Sequence, residues 1–458
     1  MYLRAGSYSW PDFMGSIANE SLVEKGMNTN NVSTYGQDDD ILNPRKLFKE
    51  LNRPAAADLP LFDVPTPYYL IDLRALEDNL RLLKAIMNTA DCKILLAQKA
   101  FACYPLYPLI GKYLSGTAAS GLHEALLGRE EMGEDSEVHV YSPAFKDSEF
   151  DKLLGLADKI VFNSFEQWIK YRDRLLEHNL CGDRQISPGL RINPGYSEVE
   201  QEIYDPAAPS SRLGVSAEQF KNGVKEGLFE GIEGIHFHSL CEQNADALAN
   251  TLDVIAENFG AFPPGLKWVN LGGGHHITRA DYDVPSLLAS IRRVQAATGA
   301  ELYLEPGEAI ALDSGFLIAE VLDLVKNEKT TAILDTSAAC HMPDVLEMPY
   351  TPKCFLTQAI SRSEASRRYA AAAPGELPYE IRLAGPTCLA GDIIGDYSFA
   401  VPPLPGDRIV FLDMAIYTMV KNNTFNGMPL PAIGVYPEDK SVRTLKSFSY
   451  QDFKARLG

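Results

Sequence analysis

The stretch Trp268-Val-Asn-Leu-Gly-Gly-Gly-His-His276 runs from an apolar, strand-like segment straight into three glycines. Glycine has no Cβ, so such a loop leaves backbone N–H groups open and can cradle a phosphate, although a plain tight turn carries the same letters. Three further residues stand where strand-like runs end. These are Lys99 after Lys93-Ile-Leu-Leu-Ala-Gln98, His238 closing Gly234-Ile-His-Phe-His238, and Glu305 closing Leu302-Tyr-Leu-Glu305. Together the four suit a phosphorylated cofactor whose ring is held by a lysine, a histidine and a carboxylate.

Taken singly, each residue is ambiguous. Lys99 lies among the mostly apolar Leu95-Leu-Ala-Gln-Lys-Ala-Phe101, where desolvation would lower its pKa and make it a nucleophilic amine fit for a Schiff base. It reads as well as a lysine snorkelling at a strand end, and Lys93, six residues earlier, is an equal candidate by strand alternation. Glu305, in Leu304-Glu-Pro-Gly-Glu308, could pair with a protonated pyridine nitrogen, or be a helix cap or surface carboxylate. His238 could lie on a cofactor ring or be a hydrogen-bonded core histidine. Their common place at strand ends is the argument.

The elements that must position them alternate between short β-rich runs and amphipathic helix-length segments such as 165–178 and 245–259. Eight strand candidates occur: 93–98, 116–120, 138–142, 159–163, 189–193, 234–238, 268–271 and 302–305. Eight strand–helix repeats over about 220 residues predict a (β/α)8 barrel, whose chemistry gathers at the C-terminal ends of its strands. Lys99 then ends the first strand, Arg191 and Asn193 the fifth, His238 the sixth, the glycines the seventh and Glu305 the eighth. A doubly wound sheet would usually bring a GxGxxG turn after its first strand, and there is none. Beyond residue 310 the alternation stops, and runs at 316–325, 331–335 and 407–412 read as strands of an antiparallel β domain, with Ala370-Ala-Ala-Ala-Pro374 as a surface loop. The expected organisation is a polar extension over 1–60 with one helix near Pro44 to Leu51, a barrel over 61–310 and a β domain over 311–458.

Composition narrows the function classes. With 458 residues, 46% apolar and 22% charged, the chain suits an enzyme with a large core and two domains. No run approaches the ~18 apolar residues of a membrane span, and the N-terminus lacks a basic-then-apolar signal. A formal charge of −19 argues against nucleic acid or an anionic membrane as partner. Seven scattered cysteines, never in a CxxC pair, fit a reducing cytoplasm, and neither they nor His236-Phe-His238 and His275-His276 have the spacing of a zinc motif, so no metal is expected.

With these motifs in place the sequence resembles the fold type III pyridoxal-phosphate decarboxylases, the group related to alanine racemase that includes ornithine and diaminopimelate decarboxylases. Within it the chain looks most like the carboxynorspermidine (carboxyspermidine) decarboxylases. The resemblance runs from Thr66-Pro-Tyr-Tyr-Leu70 to Tyr436 and leaves the first 60 residues without a counterpart. It is carried by Gln98-Lys-Ala-Phe101, Gly234-Ile-His-Phe-His-Ser-Leu-Cys-Glu242, Asn270-Leu-Gly-Gly-Gly-His-His-Ile-Thr278, Gly385-Pro-Thr-Cys-Leu-Ala-Gly-Asp392 and Phe425-Asn-Gly427. The His-His after the glycines and His341-Met-Pro-Asp-Val-Leu-Glu-Met-Pro-Tyr350 are the more specific parts.

The resemblance implies a pyridoxal 5'-phosphate-binding (β/α)8 barrel followed by a mainly antiparallel β-barrel domain. It chooses Lys99 as the Schiff-base lysine, sets His238 against the pyridine face and Glu305 at the ring nitrogen, and gives the phosphate to Gly272, Gly273, Gly274 and Tyr417. It makes Cys388 a proton donor entering from the second subunit of a homodimer. By sequence alone Cys388 would be a buried structural thiol and Tyr417 a packed aromatic. Two departures bear on substrate. Ornithine and diaminopimelate decarboxylases carry Arg directly after Glu-Pro-Gly, where this chain has Glu308, and an acidic residue after the essential Cys, where it has Leu389. Glu308, Asp344 and Glu347 are therefore expected to face the amines of a long polyamine substrate, since buried ammonium groups need carboxylate partners. Another amino-acid decarboxylase of this fold is the nearer alternative reading, and a non-catalytic homologue the farther one.

Overall fold

In a computed structural model, the structure describes residues 59–458 apart from 183, 261, 349 and 359–366. The expected N-terminal extension and its helix thus lie outside the described residues, save for 59 and 60. Two sheets organise the chain. Eight parallel strands, β2 (Lys93–Ala97), β3 (Gly116–Ala119), β4 (Glu137–Tyr141), β5 (Lys159–Phe162), β6 (Ser187–Arg191), β7 (Gly234–His236), β8 (Trp268–Asn270) and β9 (Glu301–Leu304), close into a barrel in chain order. Each corresponds to one of the eight runs read from the sequence. The helices between them include Phe165–Cys181 and Ala245–Phe259, the first with its N-terminus capped by the Ser164 hydroxyl, which accepts the Gln167 N–H.

Strand alternation decides what fills the barrel. Residues facing outward join the main apolar core under the helices, whereas Leu95, Val161, Trp268 and Tyr303 form a separate cluster inside. The indole of Trp268 fits because β6 and β7 carry Gly189 and Gly234 opposite it. A Cβ on Gly234 would stand 2.0 Å from the indole, and one on Gly189 2.3 Å. Below this layer, at the N-terminal ends of the strands, Lys93 and Lys159 bind Glu137 at 2.5 and 2.8 Å, and Lys93 reaches Glu301 at 2.8 Å. Above it stand Tyr141, Arg191, His236 and Asn270, the upper floor on which the candidate site is built.

The second sheet is ten-stranded and mainly antiparallel. It comprises β1 (Tyr68–Asp72), β10 (Gly315–Asn327), β11 (Lys329–Leu334), β12 (Cys354–Gln358), β13 (Arg367–Ala370), β14 (Tyr379–Ala384), β15 (Ile393–Phe399), β16 (Arg408–Leu412), β17 (Ala432–Tyr436) and β18 (Arg443–Lys446). One expectation is corrected here. The reading that began the barrel at residue 61 misplaces β1, which pairs antiparallel with β10 and parallel with β17 and so belongs to the second sheet. A smaller correction concerns Ala370-Ala-Ala-Ala-Pro374: Ala370 ends β13 and Ala372 exchanges backbone hydrogen bonds with Ser398, so only part of it is loop. No described helix is long and apolar enough to cross a membrane.

Candidate active site

A cavity partly open to solvent lies over the C-terminal end of the barrel and brings Lys99, His238, Gly274, Glu305, Glu308 and Tyr417 together along its lining. Lys99 follows β2 directly. Its side chain is exposed to the cavity yet lies deep among protein atoms, so burial, reinforced by the Arg191 charge, lowers its pKa against the opposing pull of Glu305 and Glu308. The choice between two lysines is one of strand end: Lys93 sits at the other end of β2, held in the carboxylate network of the barrel floor.

Glu305 stands at the end of β9. Burial alone would raise its pKa, but the facing His236 ring and the Asn270 amide, whose Nδ2 donates to Oε1 at 2.6 Å, outweigh that and hold the carboxyl at about 2. It is therefore an anion in a water-poor site. Asn270 also accepts the Gly272 N–H at 2.9 Å, which ties the glycine loop to the acid. His238 is fixed in the same way, its Nδ1 accepting the Gly273 N–H at 2.8 Å. That bond puts the ring proton on Nε2, and burial with the Lys99 and Arg191 charges lowers the ring's pKa well below its usual value, so it is neutral. Arg191 in turn donates to the His238 carbonyl at 3.2 Å and lies 4.5 Å over the Tyr141 ring.

The glycine loop departs from the expectation of open amides, since two of its three N–H groups are engaged by side chains. Its glycines are nonetheless required by close backbone approach. Gly274 has φ +81° and a Cβ there would stand 1.9 Å from the Leu240 carbonyl oxygen, while one on Gly273 would meet the Glu305 carbonyl oxygen at 2.1 Å. His275, directly after, is buried with its Nε2 unpartnered beside the cavity. Tyr417, at φ +50°, closes the opposite side, and its N–H donates to the Ala100 carbonyl at 2.7 Å, joining the second domain to the loop that carries Lys99.

The wall beyond Lys99 is acidic. Glu308 Oε2 lies 2.6 Å from His276 Nε2, and Glu242, His276 and Glu308 offer ligand atoms all within 4.8 Å of one another, a spacing that suits a small cation. Burial and the Glu308 charge raise the Glu242 carboxyl. Asp344 reaches the rim through Tyr204, whose hydroxyl donates to Oδ1 at 3.1 Å. Both Asp344 and Glu347 are ion-paired with Lys421, and neither they nor Cys388 line the cavity of this chain. Cys388 is exposed and not a buried structural thiol, on a loop braced by Asp392, which accepts from Ser337, Thr387 and the Ala339 amide. The Cys388 N–H donates to Asn426 Oδ1 at 2.8 Å.

Sequence reasoning missed Tyr204, Cys241, Glu242, His276, His236 and Asn270 as parts of this site. Glu242 and His276 lie inside motifs quoted above, adjacent to residues that were chosen. Tyr204 sits in a 3-10 turn (Glu202–Tyr204) within an irregular loop that offers no signal.

The donor set fits a phosphorylated pyridine aldehyde. There is an amine in a cavity with its pKa lowered by burial, a neutral imidazole tied to the glycine loop, and a carboxylate kept anionic. The comparisons agree. A model of the pyridoxal-dependent decarboxylase, C-terminal sheet domain, matches residues 32–415. The carboxynorspermidine/carboxyspermidine decarboxylase of Campylobacter jejuni is 41% identical over 86% of this chain and 98% of its own length. A carboxyaminopropylagmatine decarboxylase of Synechocystis is 39% identical over 87% and 97%. Among solved structures, carboxynorspermidine decarboxylase from Campylobacter jejuni complexed with norspermidine superposes with a TM-score of 0.74 at 40% identity, covering 86% of this chain and 100% of the other. Diaminopimelate decarboxylase from Helicobacter pylori, at 19% identity, shares the fold with a TM-score of 0.72 over 87% and 98%. The chain belongs to the pyridoxal-phosphate-dependent decarboxylases of the ornithine and diaminopimelate type, and within them to the family of the carboxynorspermidine/carboxyspermidine decarboxylases.

Proposed function

We propose that the protein decarboxylates carboxynorspermidine or carboxyspermidine to norspermidine or spermidine, in the cytoplasm, as a homodimer with shared active sites. The observation that carries the substrate class is the acidic wall of the cavity, Glu242 and Glu308 facing the space in front of Lys99. Cationic amines leaving water need such carboxylates. Glu308 is the nearest amine partner, and Asp344 and Glu347 would exchange Lys421 for the far end of the polyamine. All seven cysteines are free, which suits a reducing compartment.

Pyridoxal phosphate, when bound, supplies the electron sink that lets CO2 depart without its bonding pair. The chain does the rest. Lys99, whose pKa burial lowers, would hold the cofactor's carbonyl carbon through its amine. The turn of Gly272, Gly273 and Gly274 would hold the phosphate together with Tyr417, chiefly through the Gly274 N–H, since Asn270 and His238 engage those of Gly272 and Gly273, and His238 would support the ring face. Glu305, an anion at neutral pH, keeps a proton on the ring nitrogen. Cys388 of the partner subunit returns a proton to the carbon that lost CO2, and closure by the second subunit excludes water there.

A second reading is favoured by the Synechocystis relative, whose name places an agmatine end on the same kind of carboxylated substrate. Incubating the protein with cofactor and carboxynorspermidine, and identifying both CO2 and norspermidine, tests the proposal. Lys99→Ala should yield neither, and an unchanged yield would refute it.

A further inference from the structure

His236 is 2% exposed, and neither ring nitrogen has a hydrogen-bond partner among the described residues. A buried polar group left unpaired is destabilising, so one in the middle of a barrel calls for a reason. The ring stands on β7, in register with Arg191 on β6 and Asn270 on β8, and 5.5 Å from the Tyr141 ring. Its Nε2 points at Glu305 Oε2 from 3.5 Å, just beyond a formed hydrogen bond, while the other carboxylate oxygen is already anchored to Asn270. The charged groups that act on it are Glu305, Arg191 and Lys99, and His139 acts with it on Glu305. Burial and the two cations oppose a charge on the ring and leave it neutral, with one proton to offer.

We propose that His236 is a positioning residue for Glu305, presenting Nε2–H to Oε2 so that the carboxylate keeps its plane and its charge toward the cofactor's ring nitrogen. The proposal rests on the role given to Glu305 above. It explains why an imidazole is placed where a purely apolar side chain would pack without an unpaired nitrogen. Asn270 and His236 then act on opposite oxygens of one acid, from neighbouring strands.

The test compares His236→Phe, His236→Asn and His236→Gln with the parent holoenzyme and with Glu305→Gln. The readouts are the pH titration of the bound cofactor's absorbance, cofactor affinity, and kcat against KM. Loss of a hydrogen bond to a charged group predicts roughly ten-fold lower kcat and weaker cofactor binding for Phe and Asn, with KM near the parent value and the absorbance titration displaced. Gln, whose amide reaches as far as Nε2, should recover most of this. If Phe and Asn lower only the melting temperature and leave the titration and kcat at parent values, His236 is a packing residue and the inference falls. If Glu305→Gln itself leaves the titration unmoved, the role of Glu305 has failed and the inference with it. Should Phe fail to fold, the Asn and Gln pair decides alone.

Discussion

Glu308 Oε2 accepts from His276 Nε2 at 2.6 Å, and the other nitrogen of that ring lies 3.4 Å from the Arg279 guanidinium. Arginine can only donate, so Nδ1 is the acceptor and the ring proton sits on Nε2, aimed at the carboxylate. Glu308 is thereby braced from behind, with its remaining lone pairs left for the cavity. The position carries a carboxylate that lines the cavity, which suits the amines of the proposed substrate.

Replacing that charge should therefore act on substrate binding. Glu308→Gln is expected to raise KM for a carboxylated polyamine roughly ten-fold or more, the worth of one charge-assisted hydrogen bond, with kcat changed far less. Steady-state kinetics check this, and a loss confined to kcat would place Glu308 in the chemistry instead.

The glycine loop admits no side chain. Gly273→Ala would set a methyl 2.1 Å from the Glu305 carbonyl oxygen, so either the loop or β9 must shift. Overpacking of this kind costs about 1–3 kcal/mol and here also moves the acid. Titration of the apoprotein with pyridoxal phosphate should show affinity reduced by ten-fold or more, together with a lower melting temperature.

Cys388 lies outside its own chain's cavity, so its role should be separable between subunits. Cys388→Ala is expected to slow correct protonation and divert part of the product to an aldehyde. Mixing Lys99→Ala with Cys388→Ala protein should restore activity, because one mixed dimer regains one intact site. Normal products at the normal rate from Cys388→Ala would remove it from the mechanism, and no recovery on mixing would place both residues in the same subunit's site.

Asp413 offers a pH test of the junction between the domains. Burial and the neighbouring Asp313 charge raise its carboxyl to about 6, and Oδ1 accepts the Asp313 N–H at 2.6 Å. The folded state thus holds a proton that the unfolded chain releases near pH 4, and this contribution to stability is lost as pH rises through 6. Asp413→Asn keeps the acceptor and tolerates the φ of +56°, so its melting temperature should exceed the parent's at pH 8 and converge with it only near pH 4 and below.

What the sequence made legible follows from locality. Each barrel strand is a short apolar run, and the residues that end it are neighbours in the chain, so Lys99, His238, the glycines and Glu305 could be placed on one rim before any coordinates. The Glu242–His276–Glu308 grouping could not, because it joins loops after three different strands. Nor could β1, whose pairing with Ala432 to Tyr436 spans most of the chain and leaves no local trace. The pairing of Asp344 and Glu347 with Lys421 was hidden for the same reason: a carboxylate that reads as free in sequence can already hold a cation.

The most direct test of the account is CO2 release from the purified holoenzyme offered carboxynorspermidine, carboxyspermidine, carboxyaminopropylagmatine, ornithine and meso-diaminopimelate under one set of conditions. A kcat/KM for carboxynorspermidine or carboxyspermidine well above all the others is the predicted result. Preference for carboxyaminopropylagmatine would keep the acidic wall and move the substrate's end group. Preference for ornithine or meso-diaminopimelate would contradict the reading of that wall as a polyamine site.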